Sequence, residues 1–205
     1  QPPPSRHFDP QPCHIYHHLN AYEEGHKIFF ASVCLGERFN MSFDRGVWLS
    51  NTTVAPGQVF QYEIDLSANT IRRWRGDACS CEFPTVNYLL SGRKYRYAYL
   101  MAAEAGKPYI PYQEVIKWDA TGQTRQVWSS RDEGGVIGEP IFVPRQGGVE
   151  EDDGWVITQM YNARTHKTEN IIFDARHVDA GPIARLKLAH HTPYGFHGTF
   201  THELF

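Results

Sequence analysis

The sequence predicts an all-β protein assembled from several blades of a β-propeller, and three observations carry the prediction. Apolar and polar residues alternate over strand lengths, helical periodicity is scarce, and one strand–turn–strand plan recurs along the chain. The alternation is clearest in Val59–Leu66, where Phe60, Tyr62, Ile64 and Leu66 share one face, the period of a half-buried strand. The plan recurs in Tyr62–Ile71, Val115–Gly122 and Val156–Ala163, each a strand running into an acidic or amide turn and a second strand, as in a hairpin. Their starts lie about 40 to 55 residues apart, near the period at which four-stranded propeller blades repeat. A β-sandwich, with hairpins roughly every 8–12 residues, is the alternative; the longer-period echo puts the propeller ahead of it.

Taken in order, the segments fit this reading. The chain opens Gln1-Pro2-Pro3-Pro4 with no Met, no positively charged n-region and no apolar h-region, so no signal or transit peptide is visible. Either the start has been processed or residues lie upstream. The most apolar stretch, Lys27–Cys34, falls well short of the ~18 residues that a membrane span needs. The best helix candidate is Leu100–Ala105, which stops at Gly106 before Lys107-Pro108; its alternative is a continuation of the strand Tyr95–Tyr99. The polar run Gln146–Gly154 lies between strand-like Glu139–Val143 and Trp155–Ile157, and reads as a long hairpin loop ending in an Asp-Gly turn rather than a domain boundary. Residues 1–205 are therefore expected to belong to a single domain.

Composition narrows the function. The chain has 41% hydrophobic and 14% aromatic residues, enough for a folded core. Its 20 Lys and Arg against 23 Asp and Glu give a net charge of −3, with no basic run and no zinc-finger or RNA-recognition signature, which argues against a nucleic-acid partner. Cys13, Cys34, Cys79 and Cys81 lack zinc spacing and are sparse for a disulfide scaffold, so they suggest a reducing compartment. Asn40-Met41-Ser42 and Asn51-Thr52-Thr53 match the glycosylation sequon, a triplet that carries little without a secretory signal.

Eleven histidines exceed what packing requires, and they cluster near both ends: His14, His17 and His18, then His190, His191, His197 and His202. Neutral imidazole is a frequent ligand for iron, zinc and copper, and strands aimed at a common axis can bring distant histidines together. For any single one taken alone, a histidine in a surface loop of a β protein is the more ordinary account. No HExxH helix, GxSxG elbow or Walker loop is present, and Gly134–Gly138 lacks the strand–turn–helix setting of a dinucleotide fold.

Five ordered motifs then resemble the carotenoid cleavage oxygenases, a family that includes apocarotenoid and lignostilbene dioxygenases and the retinoid isomerase of the eye. They are Tyr16–Glu24 (YHHLNAYEE), Glu82–Asn87 (EFPTVN), Glu139–Arg145 (EPIFVPR), Glu151–Trp155 (EDDGW) and Pro193–Phe200 (PYGFHGTF). Members of that family are considerably longer, and the resemblance covers their C-terminal portion. It implies a seven-bladed propeller, incomplete in this chain, whose axial iron(II) is held by four histidines. By motif match His17 and His197 are two of these ligands, the other two lying upstream of Gln1. Glu82 and Glu139 are, by the same match, carboxylates that hydrogen-bond the far ring nitrogens of the ligating histidines and so fix their tautomer; ion pairs to Arg or Lys are the alternative for both. His14 stands where the family usually has an apolar or aromatic residue. Gly195 and Gly198 are expected to allow a sharp turn around His197, and Phe196 and Phe200 to fix the strand that carries it.

The implied activity is oxidative cleavage of one C=C bond of a carotenoid, apocarotenoid or related apolar polyene by O₂, giving two carbonyl products, with Fe(2+) as cofactor. The 205 residues alone are then expected to bind iron poorly and to turn over nothing. The implied locations are cytoplasm or plastid, with room for a peripheral membrane contact through the part of the protein outside this chain. Two other functions fit the residues: a metal-free propeller acting as an interaction scaffold, and a cupin-like enzyme with a local site at His14, His17 and His18.

Overall fold

Three runs of alternating sequence fold in turn into three antiparallel sheets, each made from consecutive strands. The computed structural model describes residues 5–36, 56–77, 79–104 and 111–203. The first sheet holds β1 (Ile15–Glu24), β2 (Lys27–Cys34), β3 (Gln58–Asp65) and β4 (Thr70–Asp77), in that spatial order. The second holds β5 (Ser80–Thr85), β6 (Tyr97–Ala103), β7 (Glu114–Asp119) and β8 (Thr124–Ser129). In the third, β10 (Ile141–Pro144), β11 (Gly154–Asn162), β12 (Lys167–Asp174) and β13 (Ala184–Lys187) follow one another, and the short β9 (Gly135–Ile137) pairs with β11. These are consecutive blades of a β-propeller, as the sequence predicts; a sandwich would not keep each sheet to one contiguous run of chain. No helix among the described residues is long and apolar enough to cross a membrane.

The recurring hairpins form as read, with one shift of place. β3–β4 and β7–β8 are the outer hairpins of their blades, whereas the third, β11–β12, is the middle pair of its blade. Their turns are built on carboxylate or amide caps. Asp65 accepts from the amides of Ser67 and Ala68, Asp119 from those of Thr121 and Gly122, and Asn162 from those of Arg164 and Thr165. Gln146–Gly148 and their neighbours do form the loop between β10 and β11. At its end Gly154 is obligatory, because a Cβ there would collide with the carbonyl of Val143 on the paired strand.

The helix expected at Leu100–Ala105 is instead the end of β6, and Ala105 lies outside the described residues together with Gly106, Lys107 and Pro108. The sequence misleads there because β6 is covered on both faces. Ala98, Leu100 and Ala102 pack toward the first blade against Leu19, Val33 and Val59, while Tyr99, Met101 and Ala103 pack toward the third against Phe142, Val156 and Ile171. A doubly buried strand is a continuous apolar run without alternation, which periodicity alone cannot tell from a helix. The sequons at Asn40 and Asn51 also lie outside the described residues.

Polar contacts lock the second blade to the third. The Glu151 carboxylate accepts from the amides of Arg96 and Tyr97 at 2.7–2.9 Å, Asp152 pairs with the buried Lys117 at 2.5 Å, and the Tyr99 hydroxyl donates to the Ala175 carbonyl at 3.0 Å. The acidic motif Glu151–Asp153 therefore clamps blades and shapes a loop. Between the first two blades, the Cys81 amide donates to the Gly57 carbonyl at 3.0 Å. With the blades so fixed, β1, β5 and β10 each form the leading edge of a blade, and the residues singled out by the sequence lie on or beside these strands.

Candidate metal centre

β1 departs from regular pairing where it carries His17: its register with β2 shifts between Ile15 and His18 and again between His18 and Asn20. Such irregularities re-aim side chains, here turning His17 and its neighbour His18 to different partners. His18 Nδ1 meets the Ser32 hydroxyl at 2.7 Å, whereas His17 Nδ1 lies 2.6 Å from Glu82 Oε2 on β5. His14 packs edge-on against Tyr16. The three N-terminal histidines thus do not converge, which overturns the local cupin-like site, and no group of three or more His, Cys, Asp or Glu suited to a metal occurs among the described residues.

His197 comes to His17 from the other end of the chain. It sits in the C-terminal segment after β13, which follows the third blade without forming a strand, so Phe196 and Phe200 do not flank a strand as expected. Tyr194 anchors the segment through its hydroxyl, which donates to the Ile137 carbonyl at 3.0 Å. His197 Nδ1 lies 3.1 Å from Glu139 Oε1, and the Gly198 amide donates to Glu139 Oε2 at 2.8 Å. The chain bends at Phe196, between the two glycines, but neither Gly195 nor Gly198 has a positive φ, so the bend does not draw on glycine's left-handed freedom; Gly198 contributes its amide. Of the four C-terminal histidines only His197 reaches the N-terminal group.

The two imidazoles face each other. Their Nε2 atoms are 3.4 Å apart and their ring centroids 5.1 Å apart, across a sequence separation of 180 residues. A carboxylate only accepts, so each Nδ1 facing one carries the proton, and in a neutral ring Nε2 is then a bare lone pair. Two lone pairs at this distance repel unless a proton or a cation lies between them. The Glu82 hydrogen bond and charge, with a smaller push from Glu139, raise the His17 pKa above its ordinary value against the opposing effect of burial. Glu82 itself is fully buried, and its Oε1 has no hydrogen-bond partner among the described residues. An interior carboxylate needs compensating positive charge, and neither glutamate takes it from an Arg or Lys in the hydrogen bonds and ion pairs of the described residues. Paired neutral nitrogen donors backed by carboxylates fit a transition metal of the iron, zinc and copper group.

The family model described as retinal pigment epithelial membrane protein matches residues 1–202. The chain is 40% identical over 187 residues to the apocarotenoid-15,15'-oxygenase of Synechocystis, a match covering 91% of this chain and 38% of that protein. The chain belongs to the carotenoid cleavage oxygenase family. It is 29% identical over 202 residues to the carotenoid cleavage oxygenase of Mycobacterium tuberculosis, covering 95% of this chain and 39% of that one. The solved structure of cobalt-substituted Synechocystis apocarotenoid oxygenase superposes with a TM-score of 0.87 at 38% identity, over 95% of this chain and 40% of its own. This carotenoid cleavage oxygenase chain therefore spans about two fifths of the length of those relatives, and its three blades are part of the family's seven-bladed propeller.

One participant at the centre escaped the sequence reading. Phe83, between Glu82 and Pro84, lies against both imidazoles, with ring centroids 4.8 Å from His17 and 5.3 Å from His197. Nothing in its residue type distinguishes it from an ordinary core aromatic.

Proposed function

We propose that this chain is the C-terminal portion of an iron(II)-dependent dioxygenase that cleaves one C=C bond of a carotenoid or apocarotenoid into two carbonyl products. The observation that carries the reading is the facing pair His17 and His197, each with its far nitrogen on a carboxylate. The similarity to an apocarotenoid oxygenase supports the substrate class.

His17 and His197 would hold the iron through Nε2, with Glu82 and Glu139 keeping both rings in the Nδ1–H tautomer and oriented on it. Ferrous iron in such a site supplies the activation of O₂ toward an electron-rich double bond, the substrate itself furnishing the electrons. Neutral imidazoles leave the charge of the dication unopposed among its direct ligands, and the two carboxylates offset it without occupying a coordination position. Phe83 and Phe196 line the flanks of the imidazoles with apolar ring surface suited to a polyene, and ring faces stabilise positive charge developing along it. Two further histidine ligands belong, in this reading, to the part of the protein outside this chain, as does any peripheral membrane contact; cytoplasm and plastid both suit the chemistry.

The deciding experiment compares the complete protein with its His197→Ala variant for iron content and for cleavage of an apocarotenal. Iron and activity are expected to disappear together. A variant that keeps both would sink the assignment.

A further inference from the structure

We propose that Phe83 is a positioning residue of this centre, locking Glu82 through its backbone and both imidazoles through its ring; the inference rests on the metal reading above. Phe83 lies in β5 inside a break in register, between the pairs Glu82–Met101 and Thr85–Tyr99. Its φ is +51°, in the left-handed region that bulky residues avoid. Pro84 follows directly, and a proline drives the residue before it toward an extended backbone. Both the side chain of Phe83 and its successor therefore oppose the conformation found. A backbone of this kind persists only where its surroundings over-determine it.

The surroundings do so at the metal centre. At the start of the left-handed turn the Phe83 amide lies 2.6 Å from Glu82 Oε2, the oxygen that also receives His17 Nδ1. One carboxylate oxygen is thus fixed from two sides. Phe83 is 9% exposed, and its ring stands edge-on to Phe196, with centroids 5.5 Å apart, as well as against both imidazoles. Glycine would adopt the same φ freely, so the left-handed turn alone does not call for a phenyl ring. The ring matters where it touches, on the flanks of His17 and His197.

Cobalt(II) titration of the metal-free complete protein, followed by visible absorption, tests this with Phe83→Ala and Phe83→Gly; melting curves report folding. Phe83→Ala loses the ring and keeps the conformational cost, and its cobalt affinity is expected to fall about 10–100-fold, with displaced absorption bands, as when a group supporting a metal ligand is removed. Phe83→Gly keeps the turn and the amide on Glu82, so its loss is expected to be smaller and its melting temperature no lower than that of Phe83→Ala. Wild-type affinity and unchanged bands in Phe83→Ala would overturn the proposal, and so would a greater loss in Phe83→Gly. If Phe83→Ala does not fold, wild-type affinity in Phe83→Gly overturns it. Wild-type protein that binds no cobalt would instead remove the metal reading itself.

Discussion

The axis and the rim of these blades obey different rules. At the rim, β3–β4 and β7–β8 pair residue for residue over most of their length, with turns closed by the carboxylates of Asp65 and Asp119. At the axis, β1 breaks register twice, β5 once around a left-handed phenylalanine, and the third blade enters through a loop glutamate ahead of β10. Regular strands satisfy their backbones and alternate their side chains between the two faces. Irregular ones spend local stability to aim particular side chains, which is where conflict between local preference and global structure is expected. The axis itself is uneven: Glu82 is fully buried on a strand and 2.6 Å from its histidine, whereas Glu139 is on a loop, partly exposed and 3.1 Å from a half-exposed His197.

The largest effect that follows is on metal. In the complete protein His17→Ala and His197→Ala should each abolish tight metal binding and activity, as measured by metal analysis of purified protein. Next, Glu82→Gln should weaken metal affinity toward the ~100-fold end, and Glu139→Gln toward the ~10-fold end, of the usual range for residues behind metal ligands. Equal losses would mean that burial does not rank the two carboxylates. Rim substitutions should do the reverse. Asp119→Ala removes two turn amides' acceptor and the partner of Arg96 at 2.7 Å, and should cost about 1–3 kcal/mol in denaturant unfolding while leaving metal affinity unchanged. The smallest effect concerns acid. The Ala68 amide, with the Ser67 hydroxyl and amide, lowers the Asp65 pKa to about 2. Its contribution to stability is complete above the ordinary aspartate value of about 3.9, and should fade as pH falls from there toward about 2. Asp65→Asn should flatten that part of a stability–pH profile, and an unchanged profile would show that the turn carboxylate does not couple to folding.

The same division decides what the sequence discloses. Rim hairpins are legible because alternation and turn chemistry are local properties of Tyr62–Ile71 and Val115–Gly122. β6 is not, because its apolar run records two neighbours at once. At the centre, His17, Glu82, Glu139 and His197 emerge from motif resemblance, and their residue types alone left the surface-histidine and ion-pair alternatives standing. The carrier of His197 reads as a strand and is not one, for a physical reason: a segment held by a tyrosine hydroxyl and a glutamate side chain has no periodicity to show. Phe83 shows only as a member of the Glu82–Asn87 motif and its role does not, since a left-handed phenylalanine before proline contradicts the local preferences that sequence reading depends on.

The meeting of His17 and His197 has a mechanical side. Beyond His190 the tail forms no ladder of backbone pairing among the described residues, so an ion gripped by both rings would act as a rivet, tying the tail to the first blade across 180 residues of sequence. Closing so long a loop removes much freedom from the unfolded chain. Chelation would then loosen the tail before it disturbs any sheet, leaving the last residues open to a protease while the blades stay whole.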